Sequence, residues 1–173
     1  MFKKTIIQTP LGNMLAISDE HALYLLEFLS RKKLDKRIEK LLQDTKKQLV
    51  EGDTFVLRAI RQELKAYFSG QLKIFKTPIA IQGTAFQQKA WRALSEIPYG
   101  ETQSYAKQAE SLNQPRATRA VAHANANNSF AIMIPCHRVI RTDNTLGGYA
   151  AGIDRKAWLI QHEQIQQKEI KNS

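Results

Sequence analysis

Short apolar segments separated by turn residues dominate the first third of the chain. The segments TIIQT, NMLAIS and ALYLLEFL are separated by PLGN and DEH, a pattern typical of strands joined by tight turns. Apolar residues then recur at helical spacing in RKKLDKRIEKLLQ and, more strongly, in FVLRAIRQELKAYF, which Gly70 can end. A last strand is predicted at residues 79–83. The pattern therefore predicts an antiparallel sheet accompanied by helices.

Helical patterns become dominant after Gly83. Thr84 and Gln87 are spaced as a capping box, and apolar residues continue at helical spacing through AFQQKAWRALSEI. We therefore expect an α+β chain with a boundary near Gly83. Residues 1–83 form an N-terminal α/β domain in this interpretation, and residues 84–173 form a mostly helical domain.

The segment SYAKQAESLNQPRATRAVAHANANN outlines two short helices joined by a tight turn. Ser104 can cap the first helix, Asn113 favours a left-handed stop, and Pro115 suits the first turn of the second helix. Such a pair has the outline of a helix-turn-helix. Many helical hairpins do not contact DNA, so the outline is not specific by itself.

The second of these helices combines a basic stripe with small residues. Arg116, Arg119 and His123 fall at positions i, i+3 and i+7, most of the remaining residues are alanine, and residues 115–128 contain no acidic side chain. This favours close approach to nucleic acid, and tight helix–helix packing is the alternative. The net charge of +10 fits a polyanionic partner, but it fits a lysine-rich solvated surface equally well.

The single cysteine, Cys136, limits the possible chemistry of this 173-residue chain. It excludes an internal disulfide and a zinc site built on several thiolates. No apolar run approaches the roughly 18 residues of a membrane helix, and the N-terminus is a poor signal peptide. We expect a cytoplasmic protein, without metal or cofactor, whose thiol persists in a reducing compartment.

Cys136 lies in AIMIPCHRVI, a segment with the pattern of a buried strand. A thiol attacks as thiolate, so a nearby base or cation is needed, and His137 is adjacent. Neighbours in a strand point to opposite faces, so contact requires a turn, which Pro135 favours, or an intervening water molecule. Glu163 on the last predicted helix can orient the histidine. An inert core cysteine is the alternative.

The motifs around Cys136 are similar to those of a known family. The segment IPCHRVI, with RAVAHANANN before it and LGGYAAGIDRKAWLIQHE after it, closely resembles the O6-alkylguanine-DNA alkyltransferases, also called methylated-DNA–protein-cysteine methyltransferases. The resemblance continues through GTAFQQKAW, IPYGETQSYAKQA and RATRAV, and so covers residues 83–163, whereas residues 1–82 match only in length and element order. It implies a ribonuclease-H-like first domain and a winged-helix-like second domain.

The resemblance implies an irreversible transfer of the alkyl group to Cys136, once per molecule. His137 would activate the thiol through a bound water molecule, Glu163 would hold His137, and Asn128 would lie at the hinge before the active-site loop. The residues implied in contacts with the flipped base are Tyr105, Val139, Tyr149 and Ala150. The residues expected to contact DNA are Arg119, which would enter the base stack, together with Arg116 and Tyr105.

The implied partner is double-stranded DNA that carries O6-alkylguanine or, less efficiently, O4-alkylthymine, bound through its minor groove by a monomer. Ser129 stands where many family members have proline, and Ala150 stands where some have serine. A non-catalytic protein that binds alkyl lesions is an alternative, but such proteins lack the acceptor cysteine. A cysteine hydrolase is a second alternative, and it would turn over repeatedly.

Overall fold

The computed structural model describes residues 1–171, so the last two residues of the predicted second domain lie outside the described residues. The chain divides into two compact units, Met1–Ile81 and a second unit that begins at Gln82. No helix within residues 1–171 is long and apolar enough to cross a membrane. The predicted α+β fold class is confirmed.

The first unit contains a four-stranded sheet and two helices. Its elements are β1 (Phe2–Thr9), β2 (Gly12–Ser18), β3 (Leu23–Phe28), α1 (Leu34–Thr45), β4 (Leu49–Glu51) and α2 (Phe55–Phe68). The strand order is β3-β2-β1-β4. Nearly all residues of β2 and β3 are buried, which explains why their sequences are almost continuously apolar.

Two expectations for the strands of this unit are wrong. Residues 79–83 do not form a strand, because Ile79 makes only an isolated bridge to Leu23. Instead, the three-residue β4 pairs with β1, and this pairing is parallel, so the sheet is mixed rather than antiparallel. Strand formation depends on distant pairing partners as much as on the local pattern, and a three-residue segment carries almost no pattern.

The second unit is mostly helical, as predicted. Its elements are α3 (Ala85–Ser95), β5 (Gln103–Ser104), α4 (Tyr105–Ser111), α5 (Thr118–Ala126), a 3₁₀ turn (Cys136–Arg138), β6 (Val139–Ile140) and α6 (Ile153–Lys171). The capping box of Thr84 and Gln87 is present at the start of α3. Ser104 caps α4, and Asn113 is left-handed with a φ of 58° after α4 ends. These local predictions are confirmed.

Two expectations for this unit need correction. Helix α5 begins at Thr118, so Pro115 and Arg116 lie in the turn before the helix and not in its first turn. The segment around Cys136 is not a strand, because the chain turns there through Ile132, which has a φ of 72°, and then forms the 3₁₀ turn. Only Val139–Ile140 is extended, and it pairs in parallel with β5.

Candidate active site

The 3₁₀ turn determines the directions in which Cys136 and His137 point. The Cys136 N–H donates to the Ile134 carbonyl at 2.8 Å, and the Arg138 N–H donates to the Pro135 carbonyl at 3.0 Å. In a 3₁₀ helix, successive side chains are rotated by about 120° instead of alternating between opposite faces. Cys136 is therefore partly exposed while the adjacent His137 is fully buried.

A buried ion cluster surrounds Glu163, which α6 brings to the turn. The His137 Nε2 atom lies 2.6 Å from Glu163 Oε2, and Arg138 Nε donates to Glu163 Oε1 at 2.7 Å. Arg138 also donates through Nη1 to the Ile97 carbonyl at 2.7 Å. All three side chains of the cluster are buried. Each carboxylate oxygen therefore has its own positively polarised partner.

The charge state of Glu163 follows from these contacts. Burial by itself raises the pKa of this carboxyl, but the charge of His137 and the hydrogen bonds from His137 and Arg138 outweigh burial and hold the pKa well below its usual range. An anionic carboxylate beside Nε2 fixes the tautomer in which Nε2 carries a proton. In a neutral imidazole, Nδ1 is then an acceptor, and it is buried without a hydrogen-bond partner among the described residues.

Asn128 ties the loop before the 3₁₀ turn to the thiol. Its Nδ2 atom donates to the Ile134 carbonyl at 2.8 Å and to Cys136 Sγ at 3.4 Å, while its Oδ1 accepts from the Phe130 N–H at 2.9 Å. The side chain is 2 % exposed. A donor directed at sulfur stabilises the thiolate over the thiol. The side chain predicted at the hinge therefore contacts the thiol sulfur itself.

Cys136 opens into a cavity of about 970 Å³. The lining residues are Tyr105, Arg116, Thr118, Arg119, Ala122, Asn125, Ala126, Cys136, Arg141, Gly147, Gly148, Tyr149 and Ala150. Most of the residues that are predicted to contact the flipped base or the DNA therefore line the same cavity as the thiol. Val139 is not among the lining residues: it is fully buried, and its N–H donates to the Cys136 carbonyl. His123 of the basic stripe does not line the cavity either.

Lys156 is a site residue that the sequence patterns did not single out. It is 0 % exposed, and its Nζ donates to the Gly148 carbonyl at 3.0 Å and to the Tyr105 hydroxyl at 3.4 Å. Burial, with a smaller effect of Arg141, lowers its pKa to about 8, although the Cys136 charge acts in the opposite direction. Burial also raises the pKa of Tyr105. Lys156 thus contacts Tyr105, which lines the cavity, although Lys156 itself is not among the lining residues.

The close approach of Tyr105 to the loop after β6 depends on Gly147. A Cβ atom at position 147 would lie 3.1 Å from the Tyr105 ring, and the residue has a φ of 72°. Both facts favour glycine at this position. The sequence shows the glycine pair of LGGY but not the ring that packs on it.

Comparisons with known proteins identify the family to which the chain is similar. The family profile described as "6-O-methylguanine DNA methyltransferase, ribonuclease-like domain" matches residues 2–81, and the one described as "6-O-methylguanine DNA methyltransferase, DNA binding domain" matches residues 85–165. The methylated-DNA–protein-cysteine methyltransferase of Methanosarcina barkeri is 46 % identical over 159 residues, which are 92 % of this chain and 95 % of that protein. The chain belongs to the 6-O-methylguanine DNA methyltransferase family.

Other members of this family are similar along nearly their whole length. The constitutive methylated-DNA–protein-cysteine methyltransferase of Bacillus subtilis is 40 % identical over 95 % of this chain and 97 % of its own. The crystal structure of the Mycobacterium tuberculosis O6-methylguanine methyltransferase superposes with a TM-score of 0.82 at 36 % identity, covering 96 % of this chain and 94 % of that one. The complex of the M. tuberculosis family member with DNA gives a TM-score of 0.81 at 33 % identity, covering 95 % and 93 %.

Proposed function

We propose that this chain repairs DNA by moving the alkyl group of O6-alkylguanine irreversibly to Cys136. The observation that carries the proposal is the hydrogen bond between the buried His137 and Glu163 directly beside Cys136, which lines a cavity together with Arg116, Arg119 and Arg141. The sulfur attacks the alkyl carbon, an S–C bond forms, and the bond from that carbon to O6 breaks. The product thioether has no leaving group that water can displace, so each molecule acts once.

Activation of the thiol follows from the tautomer of His137. The Nε2 proton is held by Glu163, so Nδ1 is the basic nitrogen. We place one water molecule between Nδ1 and Cys136 Sγ, which gives the buried Nδ1 a partner and carries the thiol proton to the imidazole. Asn128 stabilises the resulting thiolate through its 3.4 Å contact with sulfur.

The departing guanine needs a proton because its ring takes up the electron pair of the broken C–O bond. Tyr105 lines the cavity with Cys136, and its hydroxyl is the proposed donor. Lys156 lies 3.4 Å from that hydroxyl and can replace the proton that Tyr105 gives up. Tyr149 would line the base pocket, while backbone groups of Val139 and Ala150 would bind the base edges.

DNA binding is assigned to α5 and the turn before it. Arg119 would fill the gap left by the flipped nucleotide, and Arg116 would contact a phosphate. The outward-facing alanines of α5 include Ala120 and Ala126, whose short side chains let the helix backbone enter a narrow minor groove. Flipping costs a few kcal/mol, which contacts at the cavity must offset.

Several finer features belong to the same proposal. The protein would act as a monomer in the cytoplasm, where a reducing environment keeps the only thiol free. The lesion range would extend to O4-alkylthymine with lower efficiency. DNA binding and alkyl acceptance would both be carried by residues 84–173.

The decisive experiment weighs the intact protein after incubation with duplex DNA containing O6-methylguanine. A gain of one methyl group per molecule, mapped to Cys136 and absent in Cys136→Ala, is expected. The Cys136→Ala variant should still bind the duplex. Demethylation without a mass gain would indicate a hydrolase, and tight lesion binding with no demethylation would indicate a non-catalytic lesion-binding protein.

A further inference from the structure

We propose that Arg141 binds a backbone phosphate of the DNA from the loop after β6, so that a second element besides α5 and its preceding turn holds the DNA backbone. The inference rests on the proposed function and adds a residue to which neither the family motifs nor the basic stripe assigns a role. Arg141 follows β6 directly, whereas Arg116 and Arg119 belong to α5 and its preceding turn. All three arginines line the cavity that contains Cys136.

The backbone around Arg141 is fixed, while its side chain is exposed. The Arg141 N–H donates to the Thr145 carbonyl, and the Asn144 N–H donates to the Arg141 carbonyl, both at 2.9 Å. Asn144 completes this turn with a φ of 68°. The loop then returns to Tyr105 through Gly147, so both ends of the loop are held at the cavity wall. Because the loop backbone is already held by hydrogen bonds, the Arg141 guanidinium can bind a ligand at the cavity mouth without the cost of ordering a long flexible segment.

The charges of the described residues favour an anion beside Arg141. Within residues 1–171, Arg141 makes no salt bridge, and the lining residues of the cavity include no carboxylate. Asp143, in the same loop, accepts hydrogen bonds from the Thr145 N–H at 3.0 Å and the Thr145 hydroxyl at 2.7 Å. The cavity therefore carries positive charge from two separate elements and no negative charge among its lining side chains, which favours a ligand that carries negative charge.

A phosphodiester is the anion that matches this position. A guanidinium binds phosphate oxygens through two parallel N–H donors, and phosphates of DNA flank any base that enters the cavity. The charge of Arg141 also reaches the cavity interior, where it contributes to lowering the pKa of Lys156. A direct contact with the flipped base is the competing role, and the experiment below separates the two.

The test compares Arg141→Gln with Arg116→Gln and with Arg92→Gln, an exposed arginine of α3 that does not line the cavity. Affinity for a duplex carrying the lesion is measured between about 50 and 200 mM salt, where each phosphate contact contributes about 0.9 to the slope of log K against log salt concentration. Single-turnover transfer rates are measured on the same duplex and on free benzylguanine, which has no phosphate.

We expect Arg141→Gln to reduce the slope by about one, as one lost phosphate contact requires, and to slow the duplex reaction several-fold more than the benzylguanine reaction. Arg92→Gln should leave the slope at the parent value. The proposal is overturned if Arg141→Gln keeps the parent slope, if it changes the slope no more than Arg92→Gln does, or if it slows both substrates by the same factor. Failure of the parent to gain a methyl group would refute the proposed function instead, since the slope depends on DNA binding alone.

Discussion

At the scale of single residues, Glu163 joins the two residues that follow Cys136 in the chain. It accepts from His137 and Arg138 with different oxygens, and Arg138 is itself anchored to the Ile97 carbonyl. The carboxylate therefore positions the histidine and balances a buried guanidinium. Removing one partner from such a cluster leaves the others buried and incompletely paired, which is costly.

We predict that Glu163→Gln slows alkyl transfer by about two orders of magnitude or more, the usual contribution of a correctly oriented general base. Duplex DNA and free benzylguanine should be affected alike, because the defect lies in activation of the thiol. The measurement is the single-turnover rate on both substrates. Glu169→Gln, exposed on the same helix, is the matched control and should retain the parent rates.

In contrast to Glu163→Gln, Arg119→Ala should affect the reactions with duplex DNA and with free benzylguanine unequally. A free base needs no extrusion from a duplex, whereas a paired base costs a few kcal/mol to unstack. The variant should therefore slow repair of duplex DNA on the order of a hundredfold more than reaction with benzylguanine, since about 1.4 kcal/mol corresponds to one decade in rate. Equal losses on both substrates would show that Arg119 supports the fold or the reaction centre instead.

At the scale of secondary-structure elements, a buried pair of amides joins α4 to α5. Gln108 Nε2 donates to Asn125 Oδ1 at 3.0 Å, and Asn125 Nδ2 donates to Gln108 Oε1 at 2.8 Å. Gln108 also donates to the Ala90 carbonyl of α3 at 3.2 Å, and Trp91 Nε1 donates to the Ala124 carbonyl at 2.9 Å. These bonds fix the position of α5 relative to two neighbouring helices.

We predict that Gln108→Leu lowers the free energy of unfolding by about 1–3 kcal/mol, because the amide of Asn125 loses its partner in a buried site. The double variant Gln108→Leu/Asn125→Leu should be more stable than the sum of the two single changes implies, since it leaves no unpaired amide. Urea unfolding of the parent, both single variants and the double variant gives the coupling energy. Simple additivity of the two changes would contradict this account.

The sequence predicted those elements whose determinants lie within a few residues. The capping box at Thr84, the cap at Ser104 and the left-handed Asn113 depend on local hydrogen bonds and φ angles, and they were predicted correctly. The three-residue β4 and the absence of a strand at residues 79–83 depend on distant pairing. The segment AIMIPCHRVI forms a turn although its sequence predicts a strand, because apolar residues that are buried in a turn have the same pattern as a buried strand.

The same distinction between local and distant determinants applies to the residues of the candidate site. Cys136, His137 and Glu163 could be found from residue types and motifs, and the structure brings the histidine and the carboxylate together. Lys156 could not be found, because a lysine in a helical pattern normally indicates a solvent-exposed face. Its burial against Tyr105 and Gly148 is produced by packing of the second unit and has no local signal.

At the scale of the whole molecule, the two units contain buried carboxylates with opposite responses to pH. In the second unit the pKa of Glu163 is lowered, so its stabilisation is present above the unfolded-state pKa of about 4.3 and is lost as the pH falls below that value. In the first unit burial raises the pKa of Glu27, against the effect of Arg31, so its contribution increases on acidification. The lowered pKa of Asp19, about 2, offsets part of this gain.

We therefore predict that the second unit unfolds at a higher pH than the first during acid titration. Both tryptophans, Trp91 and Trp158, belong to the second unit, so their fluorescence reports on that unit alone. Hydrogen exchange of β1–β3 amides reports on the first unit. Loss of tryptophan signal should precede loss of amide protection as the pH falls below about 4.3. Coincident transitions would show that the two units unfold together.

The position of Glu163 on the last helix also has a consequence for synthesis of the protein. His137 and Glu163 are 26 positions apart in the chain. At about 5–20 residues per second, the ribosome adds the carboxylate about 1–5 s after the cysteine and histidine. During that interval the nascent chain carries its only thiol without the carboxylate that is the hydrogen-bond partner of His137. Under the proposed mechanism, the thiol becomes fully reactive only when α6 has been made and has folded onto the 3₁₀ turn, so reactivity would develop together with the completed fold.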